Sequence, residues 1–361
     1  MKKKRKVCYI GILALLCILS TGCGGKKEAE KDAIIPLEET VSEEPSPSPS
    51  VKPVDTHKGE VKSWLTGQWI KKKLAGKRPY AIMINNIKAA SPQWGTSQAS
   101  ILYEAVVEGG ITRMMGIYED FDSKRIGSTR SARHYFVSFA DEYDAIYVHF
   151  GQTKYATAKM EELGVDNLSG LSGLGSTVFY RDSSIKAPHN AFTSYDGIRK
   201  GTKAAGYRTK LRDHVNGFKF YKKETKPEGD SAKKVTLGYS SYTAPYFTYD
   251  KKTAKYYRYQ FGDKHIDRAT GEQLAFKNII IQVVDEWDID KKGYQTMDIA
   301  NTSGKGYYLT DGKVTKITWT KNENKKTRVY YDSDGNELKI NAGKTFISIF
   351  PEKRLSHLVI E

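Results

Sequence analysis

Between residues 80 and 205 the apolar positions change period several times, and each change predicts an element. Tyr80-Ala-Ile-Met-Ile-Asn85 reads as a short buried strand. Ser100–Val107 and Ile111–Tyr118 are apolar runs flanking Glu108-Gly109-Gly110, the pattern of a hairpin closed by a glycine turn. From Ser131 to Tyr143 the spacing of Ala132, Phe136, Phe139 and Ala140 predicts a helix, with Ser128 or Thr129 as its cap. Asp144–Phe150 predicts a strand ending at Gly151. A second helix is expected from Thr153 to Leu163, stopped by Gly164, and a third from Ser194 to Ala205.

Beyond Phe218 the period becomes two. Tyr256–Phe261, Lys277–Val284 and Val314–Trp319 alternate, and Thr310-Asp311-Gly312 and Asp334-Gly335-Asn336 supply turns, so an antiparallel sheet or barrel is expected. The fold class is therefore α+β: a mixed α/β domain over 61–217 followed by a β-rich, mainly antiparallel domain over 218–361. The many tyrosines suit cross-strand pairs, and a carbohydrate-stacking surface is the alternative.

The N-terminus follows a different rule. Met1-Lys-Lys-Lys-Arg-Lys6 precedes an apolar run, Val7–Leu19, and the small residues Ser20-Thr21-Gly22 lead to Cys23. About thirteen apolar residues fall short of the roughly twenty that a spanning helix needs, whereas the charge, apolar core and small residues together make an export signal over 1–22. The sequence around Cys23 resembles a bacterial lipobox, with Ser20 where a leucine is usual. Lipidation of Cys23, palmitate being one such acyl chain, would hold the mature chain on the outer face of the cell membrane. Cys8 and Cys17 would leave with the signal, so the folded part would contain no thiol, which excludes disulfides and thiol catalysis there. Residues 23–60 carry Glu38-Glu39, Glu43-Glu44 and Pro45-Ser-Pro-Ser-Pro-Ser50 with few large apolar side chains. They are expected to be a disordered tether.

Charge is unevenly distributed. The chain carries 58 basic and 42 acidic residues, and removal of residues 1–60 leaves 48 against 33, a net of +15 over 61–361. For an exported protein this points to anionic lipid head groups or phosphorylated envelope polymers, or to an envelope protein, and away from nucleic acid.

Several long motifs now stand in order: Arg78–Asn85, Tyr103–Arg113, Gly127-Ser-Thr-Arg-Ser-Ala-Arg133, Tyr143–His149, Ala187-Pro-His-Asn190 and Ala342-Gly-Lys-Thr-Phe-Ile-Ser-Ile-Phe-Pro351. Together they resemble the YerB family of bacterial lipoproteins over essentially all of 61–361. Ser128-Thr129 departs from the family's more apolar pair. The resemblance implies a two-domain lipoprotein and carries no activity with it.

The same motifs contain a chemical constellation. Arg130 and Arg133 lie three residues apart at an expected helix start, where guanidinium groups beside exposed N–H groups suit a phosphate, sulfate or carboxylate. Arg113 and Arg181 are positioned to join them. His149 ends a strand, a common place for site residues in α/β sheets, and His189-Asn190 sits in a proline-containing loop suited to act as a lid. Each has a structural alternative: the arginines pairing with Glu104, Glu108 or Asp141, His149 bonding a backbone carbonyl, and His189 and Asn190 closing their loop. No G-x-S-x-G, P-loop or GxGxxG pattern and no close metal-ligand spacing occurs, so no cofactor and no metal is expected. Two functional readings remain: a binding or scaffolding lipoprotein for an anionic envelope ligand, and an envelope enzyme acting on a phosphorylated or pyrophosphate-linked glycan. In the second, the arginines would clamp phosphate while His149, His189 or Glu108 moved a proton. The geometry of these groups discriminates between the two.

Overall fold

The computed structural model describes residues 56–212 and 217–361. The expected export signal, with Cys8 and Cys17, Cys23 and the expected tether as far as Asp55 lie outside the described residues. Residues 56–59 form turns and Glu60 begins a short strand, Glu60–Lys62, paired with Trp69–Lys71. The last five positions of the expected tether therefore carry regular structure, because Val61 and Ile70 oppose one another and the Trp69 ring stacks on His57 at 3.9 Å.

The centre of the fold is one eleven-stranded mixed sheet. In chain order its strands are β1 (Tyr80–Asn86), β2 (Ile101–Val106), β3 (Thr112–Tyr118), β4 (Ile146–His149), β5 (Asn167–Ser169), β6 (Asp230–Ser231), β7 (Asn278–Val284), β8 (Ser303–Thr310), β9 (Lys313–Asn322), β10 (Thr327–Tyr331) and β11 (Thr345–Pro351). Across the sheet they run β6-β9-β8-β7-β11-β2-β3-β1-β4-β5, with β10 also on β9. The helices are α1 (His134–Glu142), α2 (Lys154–Leu163), α3 (Gly175–Val178) and α4 (Tyr195–Ala204).

Most central strands are apolar at consecutive positions, as strands covered on both faces must be. On one face Met83, Tyr103, Met115, Tyr147, Ile347 and Trp319 pack against Phe136 and Phe139 of α1. On the other, Ile82, Leu102, Met114, Val148 and Phe346 meet Ile198 of α4, and Val235 and Phe247 of a second, six-stranded sheet. There the Tyr246 and Tyr259 rings stack across adjacent strands at 4.6 Å, the use expected of a strand tyrosine.

The sequence halves on either side of Phe218 are built onto one another. β11, from the last twenty residues, lies parallel between β7 and β2, so the two sequence halves share one hydrogen-bonded sheet. The halves are further joined by an ion pair with no exposed surface, Arg258 Nη2 to Glu104 Oε2 at 2.7 Å. The β-rich half is thus mainly antiparallel; β11 pairs in parallel on both sides, and the short strands Lys219–Phe220 and Lys339–Ile340 also pair in parallel.

Local expectations fare well where capping decides them. Thr153 caps α2 through Ala156 N–H, Gly164 ends it at φ +63°, and Ser194 caps α4 through Gly197 N–H. The expected helix from Ser131 instead begins at His134, with Arg133 at the cap position and no side-chain cap. Ser128 and Thr129 are occupied elsewhere: Asn85 N–H bonds the Ser128 carbonyl at 2.8 Å, and the Thr129 N–H and hydroxyl both donate to the Ala191 carbonyl.

Candidate anion site

The hairpin β2–β3, the end of β1 and the segment 128–133 meet at one end of the central strands. Pairing of Asn85 with Arg113 and of Ala105 with Arg113 fixes the Arg113 Cα at the mouth of the hairpin. The glycine turn makes this possible, since Gly109 and Gly110 adopt φ of +69° and +70°. Glu108, which opens that turn, is reached by Arg133 through a two-pronged contact, Nε to Oε1 at 2.6 Å and Nη2 to Oε2 at 2.5 Å. Arg133 Nη1 also donates to the Ala132 carbonyl at 2.9 Å, and Arg113 Nη1 to the Ser131 carbonyl at 2.6 Å.

Two guanidinium groups, Arg133 and Arg113, therefore act on one carboxylate, and a third, Arg130, is close enough to interact with both of them. Burial pushes the Arg113 guanidinium down to about 9, with the Arg133 and Arg130 charges adding to the fall and Glu108 opposing it. Arg130 is lowered in the same sense by burial and by Arg133. At Glu108 burial acts upward, but the Arg133 hydrogen bonds and the charges of Arg133 and Arg113 outweigh it and hold the carboxyl below its ordinary value. The cluster keeps an excess of positive charge in a poorly solvated place.

Arg130 is the most accessible of the three. Its Nη1 donates to the Pro188 carbonyl at 3.2 Å, while its buried Nε has no hydrogen-bond partner. The overlying loop lies in a hairpin between Phe179–Arg181 and Ala191–Thr193. His189 of that loop accepts at Nδ1 from the Asn85 amide at 3.0 Å. Burial and the Arg130 charge lower its proton affinity.

The remaining expected residues are placed differently. Arg181 donates to Asn190 Oδ1 at 2.7 Å and lies 4.6 Å above the Phe150 ring, so the pair braces the base of the loop. His149 is wholly enclosed; its Nδ1–H donates to the Gly151 carbonyl at 2.8 Å, and its Nε2 lies 3.2 Å from the Asn167 side-chain amide. Burial depresses its proton affinity, and its hydrogen bonds go to none of the arginines. The structure thus gathers Arg113, Arg130, Arg133 and Glu108, adds His189 through the loop, and leaves Arg181, Asn190 and His149 in supporting contacts. Of the other carboxylates weighed as arginine partners, Glu104 is taken by Arg258 and Asp141 by Lys326.

Two participants carried no distinct signal. Asn85 links Ser128 and His189, and the only hint was a pair of amides, Asn85-Asn86, closing an apolar run. His134, next to Arg133, bonds Thr296 Oγ1 at 2.8 Å and is pushed down to about 4 by burial, with Lys159 and Arg133 adding to the effect. Among the described residues no group of three or more His, Asp or Glu is arranged to hold a metal, and no helix is long and apolar enough to cross a membrane.

Comparison with known proteins now bears on the whole arrangement. The family described as "Protein of unknown function (DUF3048) N-terminal domain" matches residues 65–208, and its C-terminal companion matches 235–347. The chain belongs to the DUF3048 family. This DUF3048 chain is 36% identical over 300 residues to "Putative lipoprotein YerB" of Bacillus subtilis (strain 168), a match spanning 82% of this chain and 88% of that protein. The crystal structure of the YerB protein from Bacillus subtilis is similar at a TM-score of 0.75 and 33% identity, covering 83% of this chain and 99% of that one. The resemblance carried by the sequence motifs and the α+β class both agree with these matches. The two DUF3048 segments meet in the sheet at β11 and β2.

Proposed function

We propose that this protein is a lipid-anchored extracytoplasmic lipoprotein that binds an anionic ligand of the cell envelope through the arginine cluster at Glu108. The anchor reading rests on the lipobox at Cys23 and on the printed name of the Bacillus subtilis relative. The binding reading rests on one observation, the excess of guanidinium charge over carboxylate around Arg113, Arg130 and Arg133, with an unpartnered Arg130 Nε. A phosphate or carboxylate entering beside Arg130 would meet both the net charge and the orphaned donor.

The enzymatic alternative draws less support from the geometry. Glu108 is clamped by Arg133 in an ionised state and His149 is sealed from solvent, so of the three groups that could move a proton only His189 of the loop stands near Arg130 without either restraint. Binding of a soluble phosphate-bearing polymer to purified protein tests the proposal. Arg130→Gln should weaken it roughly tenfold, the worth of one charge-assisted contact of about 1.5 kcal/mol, and the wild-type affinity should fall steeply with added salt. Unchanged affinity in the variant, with an unchanged melting temperature, would remove the cluster from the binding surface.

A further inference from the structure

A second basic surface lies at the opposite end of β1 from the arginine cluster. Just inside the described chain, Lys71, Lys72, Lys73 and Lys77 are all exposed within seven residues. α4 contributes Arg199, Lys200 and Lys203 on its solvent side. The segment that follows adds Arg208, Lys210 and Arg212, also exposed.

These segments form one surface because the backbone ties them together. Lys77 and Lys210 form an antiparallel bridge, Leu211 N–H bonds the Gly76 carbonyl at 2.7 Å, and Arg78 N–H bonds the Thr209 carbonyl at 2.9 Å. Beneath them the buried Asp144 accepts from Arg208 at 2.7 Å and lies 3.5 Å from Arg78 Nε, and so fixes the underlying chain. An open hollow of about 610 Å³ runs along α4 between Tyr80, Arg199, Lys200 and Lys203. The exposed acids nearby are four: Glu60 stands across the ribbon from Lys71, Asp196 lies on the same hollow, and Asp120 and Asp122 border the one lined by Lys71 and Lys73.

We propose that this face docks on an anionic lipid bilayer. The charge is right, since cations held near such a surface are worth about 1 kcal/mol each. Chain continuity points the same way, because the described structure starts at Thr56, sixteen residues before Lys72 and adjacent to the ribbon that carries Lys71. A chain whose N-terminal side leads to a lipid anchor presents this ribbon to the membrane first. The continuity argument rests on the proposed anchor, whereas the charge argument stands without it. It also sets an orientation: β1 runs seven residues from Tyr80 at the hollow to Asn86, with Asn85 at the arginine cluster. At about 3.3 Å per residue the cluster stands roughly 17 Å along β1 from the hollow, on the side away from the docking face.

The test uses Cys23→Ser protein lacking residues 1–22, so that loss of the anchor and failure of the surface are read separately. Co-sedimentation is measured with phosphatidylcholine vesicles with and without phosphatidylglycerol. Binding should require phosphatidylglycerol. It should fall on the order of a hundredfold or more when Lys72, Lys73, Lys200 and Lys203 are all changed to Glu, and less when they are changed to Gln. A control that changes Lys251, Lys252, Lys291 and Lys292 to Glu alters the net charge equally and should retain most of the binding. Equal losses in the two Glu variants would overturn the proposal, as would failure of the wild type to bind. So would equal competition by soluble polyphosphate at matched phosphate concentration, which would assign the face to a polymer.

Discussion

Replacing Glu108 with Gln isolates the one negative charge in the arginine cluster while preserving its shape. The wild-type carboxylate accepts two charge-assisted hydrogen bonds from Arg133, and only about a quarter of its side chain is exposed. Breaking a fully buried pair by removing one partner costs about 3–5 kcal/mol, and the partial exposure of Glu108 reduces this to roughly 2–3 kcal/mol. For a folded part of this size that corresponds to a fall of roughly 3–5 °C in melting temperature. If the site takes anions, inorganic phosphate should replace the missing charge. Calorimetric melts of the Glu108→Gln variant should then show stabilisation by phosphate that exceeds the wild-type response and a matched chloride control. A variant destabilised as expected but indifferent to phosphate would refute the reasoning, because the excess guanidinium charge would have proved unavailable to any external anion.

Further outcomes follow from other features. Cys23→Ser should abolish metabolic incorporation of fatty acid and release the protein from the membrane fraction; persistent labelling would sink the lipobox reading. His134 binds its proton less readily folded than unfolded, so its contribution to stability is present above about pH 6.5 and is lost as pH falls towards about 4. His134→Gln should therefore flatten the acid limb of the stability–pH profile by about 2–3 kcal/mol relative to wild type. Arg258→Ala strands Glu104, which accepts from Arg258, Asn86 and Thr112 with no exposed surface; a loss of about 3–5 kcal/mol is expected in denaturant melts. Removing both charges with Arg258→Met and Glu104→Gln should recover a measurable part of it.

How much of this was legible in the sequence depended on the range of the interactions involved. The Glu108-Gly109-Gly110 hairpin, the Thr153 and Gly164 limits of α2 and the Ser194 cap are decided within four residues, and periodicity or capping chemistry reveals them. The start of α1 was not readable from its neighbours, because Ser128 and Thr129 are engaged by Asn85 and Ala191 across the fold. Glu104 finds its cation 154 residues away at Arg258. No local pattern distinguishes β11 as a parallel insert from another antiparallel strand. At the site, the proximity of Arg130 and Arg133 was visible, as was the alternative that Arg133 pairs with Glu108. The enclosure of His149 was not visible, because burial at a strand end depends on what packs over it.

The position of β11 bears on how the protein reaches its final state. Synthesis delivers the chain from its N-terminus, so β2 and β3 emerge well before Thr345–Pro351. Until then the outer edge of β2 is an apolar strand without a neighbour on that side, and β7 waits in the same condition. The last segment to be made acts as a keystone, and release of the finished chain becomes the event that closes the sheet. A nonsense mutation that removes only the final twenty residues should therefore yield a sticky, protease-sensitive product rather than a shortened working one.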